Sequence, residues 1–274
     1  MKNLYLMFLF STIFVFSSSS FSIGNTLRII NGNDADENEF NYLVALNYSN
    51  NSDMNQHHCD GVMIHDNWVL TAAHCVDVAY TNNKKIYLYI GRHSYIPDTF
   101  LAKKDISKVF INEKWYSKLP NGQAGRNRSG DIALIKINGS ISNFPIVKYD
   151  KSSNKLPLNT GDSVTVIGFG VDGNNHVPKI LQKKNIKILP DSSCINVPEG
   201  YPPTNFDPKF SICAGDESGG ISGGDSGGPM LSKNKEGEDV VIGITSGSFW
   251  PPAQSFTRVS EYSDWIDSII TSNK

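Results

Sequence analysis

Three short segments carry an imidazole, a carboxylate and a hydroxyl group, which together can perform nucleophilic catalysis. His74 lies in the segment LTAAHC, Asp131 in GDIALI and Ser226 in GGDSGGP. A serine hydroxyl is a poor nucleophile until a neighbouring base removes its proton, and an imidazole is such a base. A carboxylate behind the imidazole fixes its tautomer and stabilises the imidazolium. The glycines around Ser226 would let backbone N–H groups approach a developing oxyanion.

Each segment alone is weak evidence, because a lone histidine in a β-protein is usually structural and a Gly-Asp-Ser-Gly run is usually a turn. In the order His, Asp, Ser, however, they resemble the chymotrypsin-type (trypsin-like) family of secreted serine proteases, and the resemblance runs from Arg28 to the C-terminal helix. It implies that Ser226 is the nucleophile, His74 the general acid and base, and Asp131 the orienting carboxylate. It also implies an oxyanion hole formed by the backbone N–H groups of Gly224 and Ser226.

The elements that must position these residues are mostly short strands. Runs rich in Val, Ile, Tyr and Phe recur between Gly, Asn, Pro and Asp residues, which predicts an all-β sandwich or barrel. The clearest runs are 43–48, 68–73, 86–90, 105–111, 132–137, 164–169, 240–245 and 256–259. Helical periodicity is clear only near the C-terminus, where one apolar stripe predicts a helix. Its residues are Val259, Tyr262, Trp265, Ile266, Ile269 and Ile270.

The family resemblance implies a more specific fold. It implies two packed six-stranded Greek-key β-barrels, with the catalytic residues in the cleft between them and the C-terminal helix on the outside. The polar, Pro-containing stretch 148–160 is the predicted seam, so we expect barrels over 29–150 and 151–274, the second including the helix. The stretch 118–130 is expected to be an exposed loop, in which Arg126 and Arg128 could be cut by other proteases.

The N-terminus has the features of a signal peptide. Lys2 supplies a positive charge, an apolar run spans 4–16, and the small residues 17–20 follow. The apolar run is shorter than the roughly 20 residues of a membrane-spanning helix. We therefore expect a cleaved signal over 1–22 and a soluble, secreted, extracellular protein. Four Asn-x-Ser/Thr sequons are candidate glycosylation sites, at Asn47, Asn50, Asn127 and Asn138.

The four cysteines are an even number in an oxidising compartment, and spacing alone leaves three pairings open. A metal site using Cys59 and Cys75 with neighbouring histidines fits zinc poorly, because there is no C-x-x-C pair. The family resemblance implies the pairing Cys59–Cys75 and Cys194–Cys213. It implies no metal or cofactor, since Gly91 is followed by Arg92 where calcium-binding relatives carry a glutamate.

The sequence RIING at 28–32 resembles the activation junction of the family. Cleavage after Arg28 would remove a propeptide, 23–28, and free the amino group of Ile29. The resemblance implies that this ammonium pairs with the buried Asp225, next to the nucleophile, and so shapes the oxyanion loop. We therefore expect a zymogen that needs an activating protease.

The residues expected to bind substrate depart from the tryptic pattern. Gly220 stands on the floor of the specificity pocket where tryptic enzymes carry aspartate, so a bound Lys or Arg would be buried without a partner. Ile221, Ser248 and Gln254 are expected to narrow the pocket, favouring small or medium apolar residues, as in elastase-like or restricted chymotrypsin-like enzymes. The substrate backbone is expected to pair, as an added strand, with residues 246–248, which are Ser246, Gly247 and Ser248.

Two further departures concern the frame of the site. Ser222 replaces a cysteine that usually staples the pocket wall, and Asp60 replaces the usual glycine after Cys59. The sequence offers no account of Asp60. The segment FWPP at 249–252 is expected to hold the wall instead.

Composition limits the other classes of function. The chain has 274 residues, 25 Lys and Arg against 27 Asp and Glu, a net charge of -2 and 39% hydrophobic residues. This balance excludes a disordered tail or a polybasic nucleic-acid binder. We expect a monomer that acts on protein or peptide substrates, can meet protein protease inhibitors, and binds neither nucleic acid nor membrane.

Two other functions compete with an active endopeptidase. The altered pocket leaves open a catalytically weak or inactive protease-fold binding or cofactor protein. A secreted esterase or lipase would also use a serine triad, but it needs Gly-x-Ser-x-Gly on a strand–helix turn and the order Ser, Asp, His. Because His74 precedes Ser226, the sequence favours the protease.

Overall fold

The computed structural model describes residues 29–51, 53–117, 126–139, 143–172, 174–201 and 204–274. The predicted signal peptide, propeptide and Arg28 lie outside the described residues. Among the described residues, no helix is long and apolar enough to cross a membrane.

The strands of the first half form a closed antiparallel barrel in the order β2-β3-β4-β9-β8-β5. These strands are β2 Leu43–Asn47, β3 His57–His65, β4 Trp68–Thr71, β5 Tyr87–Ile90, β8 Ala102–Ile111 and β9 Ala133–Ile137. A small hairpin pairs β6 Ser94–Tyr95 with β7 Asp98–Thr99. Closure leaves the sheet without free edges. The barrel encloses fully buried residues that include Leu43, Leu46, Leu70, Leu88 and Leu134.

The second half forms another six-stranded closed antiparallel barrel, because β12 pairs with β11 and also with β13. Its strands are β11 Ser163–Gly168, β12 Gln182–Ile188, β13 Ser211–Gly215, β14 Pro229–Lys233, β15 Asp239–Trp250 and β16 Ala253–Arg258. The two barrels, with a helix at the C-terminus, confirm the predicted fold class.

Two short strands of the first half pair with the second barrel. These are β1 Asn33–Asp34, which pairs with β12, and β10 Lys148–Tyr149, which pairs with β15. The N-terminal segment therefore crosses to the second barrel before the first barrel begins. A boundary at residue 150 follows the barrel strands but separates these two pairings.

The helices are few and short. The described residues form α1 Ala73–Thr81, α2 Ser192–Ile195 and α3 Ser263–Ser272. Single 3₁₀ turns lie at Met54–Gln56, Glu113–Tyr116, Arg128–Gly130, Ser152–Asn154 and Val259–Tyr262. The predicted C-terminal helix is confirmed, although the first two residues of its stripe, Val259 and Tyr262, lie in the 3₁₀ turn that precedes it.

Helix α3 contributes to the core shared with the first barrel. Ile266 and Ile270 are buried in the same apolar cluster as Leu134 of β9. Lys136 of β9 donates a hydrogen bond to the carbonyl of Asn273, at the end of the helix. The end of the chain thus helps to hold the two barrels together.

Candidate active site

Asp131 binds His74 through both of its carboxylate oxygens. Oδ1 accepts from the backbone N–H of His74 at 2.9 Å, and Oδ2 lies 2.8 Å from His74 Nδ1. Burial acts to raise the pKa of the fully buried Asp131, but the charge and hydrogen bonds of His74 outweigh it and lower the pKa. Since the ionised carboxylate can only accept, Nδ1 must carry a proton, which leaves Nε2 of a neutral ring as a base.

The second barrel holds Asp131 from the other side. The hydroxyl of Ser246, in β15, donates to Asp131 Oδ2 at 2.6 Å, and the hydroxyl of Thr257, in β16, donates to its carbonyl at 2.8 Å. Asp131 is therefore clamped across the interface between the barrels. The predicted site residues Asp131, His74 and Ser246 are brought together.

The loop that carries Ser226 packs on the segment leading into His74. Gly227 has φ +79°, and a Cβ there would lie 2.2 Å from Thr71 Oγ1 and 3.1 Å from the nitrogen of Ala72. Ser226 accepts a hydrogen bond at its carbonyl from the N–H of Asp60, at 2.8 Å. The nucleophile loop is thus fixed against β3 and the end of β4.

Ser226 and His74 are both among the described residues, and no hydrogen bond joins them. His74 is partly exposed, and its Nε2 lies 3.7 Å from Cys75 Sγ. Catalytic hydrogen bonds are often long before substrate binds and tighten in the complex. The segments that carry His74 and Ser226 are in contact, but the hydrogen bond between the two side chains is not formed.

The two expected oxyanion-hole donors are free. Neither Gly224 nor Ser226 donates its backbone N–H to an acceptor among the described residues. The carbonyl of Gly224 instead accepts from His57 Nε2 at 3.1 Å. Burial lowers the pKa of His57 to about 3, so its ring is neutral and donates from Nε2. This contact anchors the Gly224 peptide, whose φ of +104° favours glycine.

Asp225 and Asp60 form a buried pair of carboxyl groups at the interface between the barrels. Asp225 accepts from the N–H groups of Gly170 and Ser222, each at 2.7 Å. Asp60 accepts from the N–H of Phe169 at 3.0 Å. Burial raises the pKa of Asp225 to about 7, and burial together with the charge of Asp225 raises that of Asp60 well above its usual value.

The carboxyl groups flank one glycine. A Cβ on Gly168 would lie 2.3 Å from Asp225 Oδ1 and 2.6 Å from Asp60 Oδ2. Sequence reasoning assigned no role to Asp60. Its signal was a charged residue inside a strand that is otherwise apolar from Cys59 to Ile64.

The floor of the expected specificity pocket is covered by Gln254. A Cβ on Gly220 would lie 2.2 Å from Gln254 Nε2 and 2.4 Å from its Oε1. The same carboxamide accepts from the N–H of Ile221 at 3.2 Å. Ile221 is buried in the apolar cluster of the second barrel, and Ser248 is exposed on β15. Gln254 therefore fills the space beside Gly220, where the floor of the pocket is expected.

The expected pocket wall, which lacks the usual disulfide at Ser222, is held by other contacts. Ser222 donates its hydroxyl hydrogen bond to the carbonyl of Val171. Trp250 is buried against the Cys194–Cys213 disulfide and Ala253, and the ring of Tyr201 lies 5.8 Å from it. A Cβ on Gly215 would lie 1.8 Å from the carbonyl of Pro252, so the turn fits tightly over β13.

Ile29 is already seated in the second barrel. Its side chain is fully buried with Ile221 and other apolar residues. The next carbonyl, of Ile30, accepts a hydrogen bond at 3.0 Å from the buried Lys184. No cationic group of the described residues pairs with the carboxylate of Asp225.

Both disulfides implied by the resemblance, Cys59–Cys75 and Cys194–Cys213, are present. The first joins β3 to the helix of His74. Although Cys59, Cys75 and His74 offer atoms within 4.8 Å of one another, the two sulfurs are bonded and supply no thiolate for a metal.

Two of the four candidate glycosylation sites are buried in the folded chain. Asn47 is fully buried and donates from Nδ2 to the carbonyl of Asp53, and Asn127 is buried with Nδ2 bound to Ser117 Oγ. Asn50 and Asn138 are exposed, and all four sites stay predictions.

Comparisons with known proteins agree with this geometry. The family model described as Trypsin matches residues 29–266. The alpha-fibrinogenase albofibrase of Trimeresurus albolabris is 31% identical, over 89% of this chain and 88% of its own length. The thrombin-like enzyme elegaxobin-1 of Protobothrops elegans is 29% identical, over 89% and 97%. Kallikrein-5 of Homo sapiens is 30% identical, over 90% and 78%.

Proposed function

This chain belongs to the trypsin family and is a serine endopeptidase, and we propose that it hydrolyses peptide bonds through an acyl-enzyme on Ser226. One observation carries the proposal. The buried Asp131 binds both the backbone and the ring of His74, on a segment that packs against the loop of Ser226. A carboxylate, a base and a hydroxyl on adjoining segments are the parts that acyl transfer requires.

Each of these residues takes one role in the reaction. As Ser226 Oγ attacks the substrate carbonyl carbon, His74 Nε2 takes its proton and the carbonyl electron pair moves onto oxygen. The N–H groups of Gly224 and Ser226 stabilise that oxyanion, each contributing about 3 kcal/mol. Cleavage of the C–N bond then transfers the proton from His74 to the departing amine. Water attacks the resulting ester by the same route, which releases the acid and restores Ser226.

The nucleophile is tested by covalent labelling. A fluorophosphonate should label the processed protein once, and Ser226→Ala should abolish the label while the thermal unfolding midpoint stays within a few degrees. Ser232→Ala, on β14 beyond the loop, is the matched control and should label normally. A processed protein that resists labelling would favour the inactive, protease-fold binding protein instead.

We further propose that the protein is made as a zymogen and activated by cleavage after Arg28. The proposal is supported by the fully buried Ile29 and by the buried Asp225, which has no cation of the described residues beside it. A new ammonium at Ile29 would neutralise that carboxylate. Treatment with an arginine-specific protease should produce the N-terminal sequence Ile-Ile-Asn-Gly together with activity, and Arg28→Gln should give neither. Full activity of the Arg28→Gln chain would refute the proposal.

The preference is proposed to be for small or medium apolar residues at the cleaved position. The carboxamide of Gln254 lies against Gly220 and leaves little depth, and no carboxylate stands at Gly220 to pair with a bound cation. A peptide panel varied at that position should be cleaved fastest after Ala, Val or Leu. Fastest cleavage after Arg or Lys would refute this specificity.

Secretion is proposed from the sequence pattern of 1–22. Expression of the whole chain in a eukaryotic secretory host should place the protein in the medium with a new N-terminus near residue 21 or 23. Replacing apolar residues of the run 4–16 by charged ones should keep it in the cell. Equal secretion of that variant would contradict a cleaved signal.

A further inference from the structure

Arg128 places a guanidinium at the edge of the cleft, next to the buried Asp131. Its Nη1 donates to the carbonyl of Ser246 at 2.6 Å and lies 3.9 Å from Asp131 Oδ2. The side chain is 45% exposed, so solvent and ligands can reach it. Nη1 also donates to Ser246 Oγ at 3.4 Å, whereas Nε and Nη2 meet no acceptor among the described residues. The guanidinium therefore has N–H groups on its solvent-exposed side that can donate to a ligand.

The carbonyl that Arg128 holds lies on a free strand edge. β15 pairs with β14 only as far as Ile244, whereas β16 continues along its other side to Trp250. Beyond Thr245, the edge of β15 that faced β14 has no strand partner among the described elements. An extended peptide can add to such an edge through backbone hydrogen bonds.

A substrate strand on this edge would run past the guanidinium. A Cβ on Gly247 would lie 3.0 Å from Arg128 Nη1, so the side chain stands directly over the edge that the substrate must use. We expect the cleaved residue of the substrate and those before it to pair along Ser246 and Gly247. Their side chains come within reach of the free N–H groups of Arg128.

We propose that Arg128 selects substrates that carry an acidic side chain at one of the two positions before the cleaved residue. The inference rests on the proposed function and adds the charge of the preferred substrate to it. A carboxylate matches the planar guanidinium through two parallel hydrogen bonds, which an amide or an aliphatic side chain cannot reproduce. The carbonyl of Ser246 keeps a second lone pair for the backbone N–H of the substrate.

The experiment compares peptides that differ only by Glu or Gln at each of these two positions. With processed enzyme, kcat/KM should be on the order of fivefold higher for Glu at one of them, because a half-exposed ion pair has modest strength. The ratio should fall toward 1 as salt is raised, since screening weakens the pair. Neither measurement needs a variant, so a variant that folds poorly does not affect the test.

Variants then assign the preference to one side chain. Arg128→Leu should bring the Glu/Gln ratio to about 1, and Arg128→Lys should restore part of it. Arg126→Leu is the matched control from the same loop, because the guanidinium of Arg126 turns away to Asp77, with Nε at 2.6 Å, and its loss should leave the ratio unchanged. A merely structural Arg128 would change total activity but not this ratio.

The outcomes separate the inference from the function on which it rests. Enzyme that accepts the fluorophosphonate and cleaves Glu and Gln peptides equally well overturns the inference and leaves the protease function standing. A preference for Glu that survives in Arg128→Leu also overturns it. Enzyme that neither labels nor cleaves any peptide overturns both.

Discussion

Asp60 introduces a second carboxyl group beside Asp225, and its replacement by Asn should change how stability depends on pH. Asp60 is fully buried, and burial followed by the charge of Asp225 raises its pKa well above the usual value, against the effect of the hydrogen bond from Phe169. Asn keeps an oxygen that can accept from Phe169 N–H but carries no proton that titrates. The backbone contacts of Asp60 with Ser226 and with Thr71 do not involve the side chain that changes.

The sign and size of the effect follow from proton linkage. Because the pKa of Asp60 is higher in the folded chain, the folded state holds a proton that the unfolded state releases above about pH 4. That proton stabilises the fold at low pH, and the stabilisation is lost as pH rises toward the pKa of the folded state. The loss is about 1.4 kcal/mol per pH unit for one proton. The Asn variant has no such loss.

The assay is urea unfolding of the unprocessed chain at pH 5, 6 and 7, followed by tryptophan fluorescence. The Ser226→Ala background prevents self-digestion. The free energy of unfolding of Asp60→Asn minus that of its parent should grow by about 1.4 kcal/mol per pH unit over the pH range in which the folded chain keeps the proton on Asp60. Asp225 is present in both proteins, but its charge is coupled to Asp60, so the difference reports the titration of this carboxyl pair.

The pH at which the difference stops growing reports the apparent pKa of the Asp60 and Asp225 pair in the folded chain. Asp66→Asn, at the exposed turn between β3 and β4, is the control for replacing a carboxylate by a carboxamide. A difference between Asp60→Asn and its parent that stays constant, or shrinks, from pH 5 to pH 6 would refute a proton held on Asp60.

Three further outcomes are expected. Gln254→Gly should deepen the pocket over Gly220 and raise the ratio of kcat/KM for Phe over Ala at the cleaved position by about tenfold or more. An unchanged ratio in peptide kinetics would contradict a pocket closed by this carboxamide. Ser246→Ala removes a 2.6 Å hydrogen bond to the buried Asp131 and should lower kcat about tenfold with KM nearly unchanged. Steady-state kinetics with an unaltered kcat would contradict this expectation. Trp250→Ala should cost about 3 kcal/mol in urea unfolding, and a loss below about 1 kcal/mol would argue against its role in holding the pocket wall.

The sequence was most informative where chemistry and local pattern coincide. The motifs around His74, Asp131 and Ser226 carried the family resemblance, which in turn implied the barrels and both disulfides. The apolar stripe predicted α3 because six residues at helical spacing are difficult to place on a strand. The roles of the three motif residues stay predictions, although the structure brings their segments into contact.

Secondary structure was harder to predict where polar residues face inward. β12 alternates in burial, but Gln182 and Lys184 occupy buried positions on it, so no apolar alternation was visible. Lys184 can be buried because its ammonium binds the carbonyl of Ile30 and the hydroxyl of Ser218. Helix α1 was missed for a related reason, since the apolar run 68–73 continues from β4 into the first residue of the helix.

The residues that sequence reasoning did not place are those whose partners lie far along the chain. Arg128 is exposed, but its guanidinium also binds the carbonyl of Ser246, 118 residues away. Asp60 shares its surroundings with Asp225 and with the amides of residues 169 and 170, which no local pattern links to β3. Charge alone marks both residues in the sequence as unusual for their positions. Whether such a charge is a surface group, a held proton or a substrate contact depends on distances that only the packing of the two barrels sets.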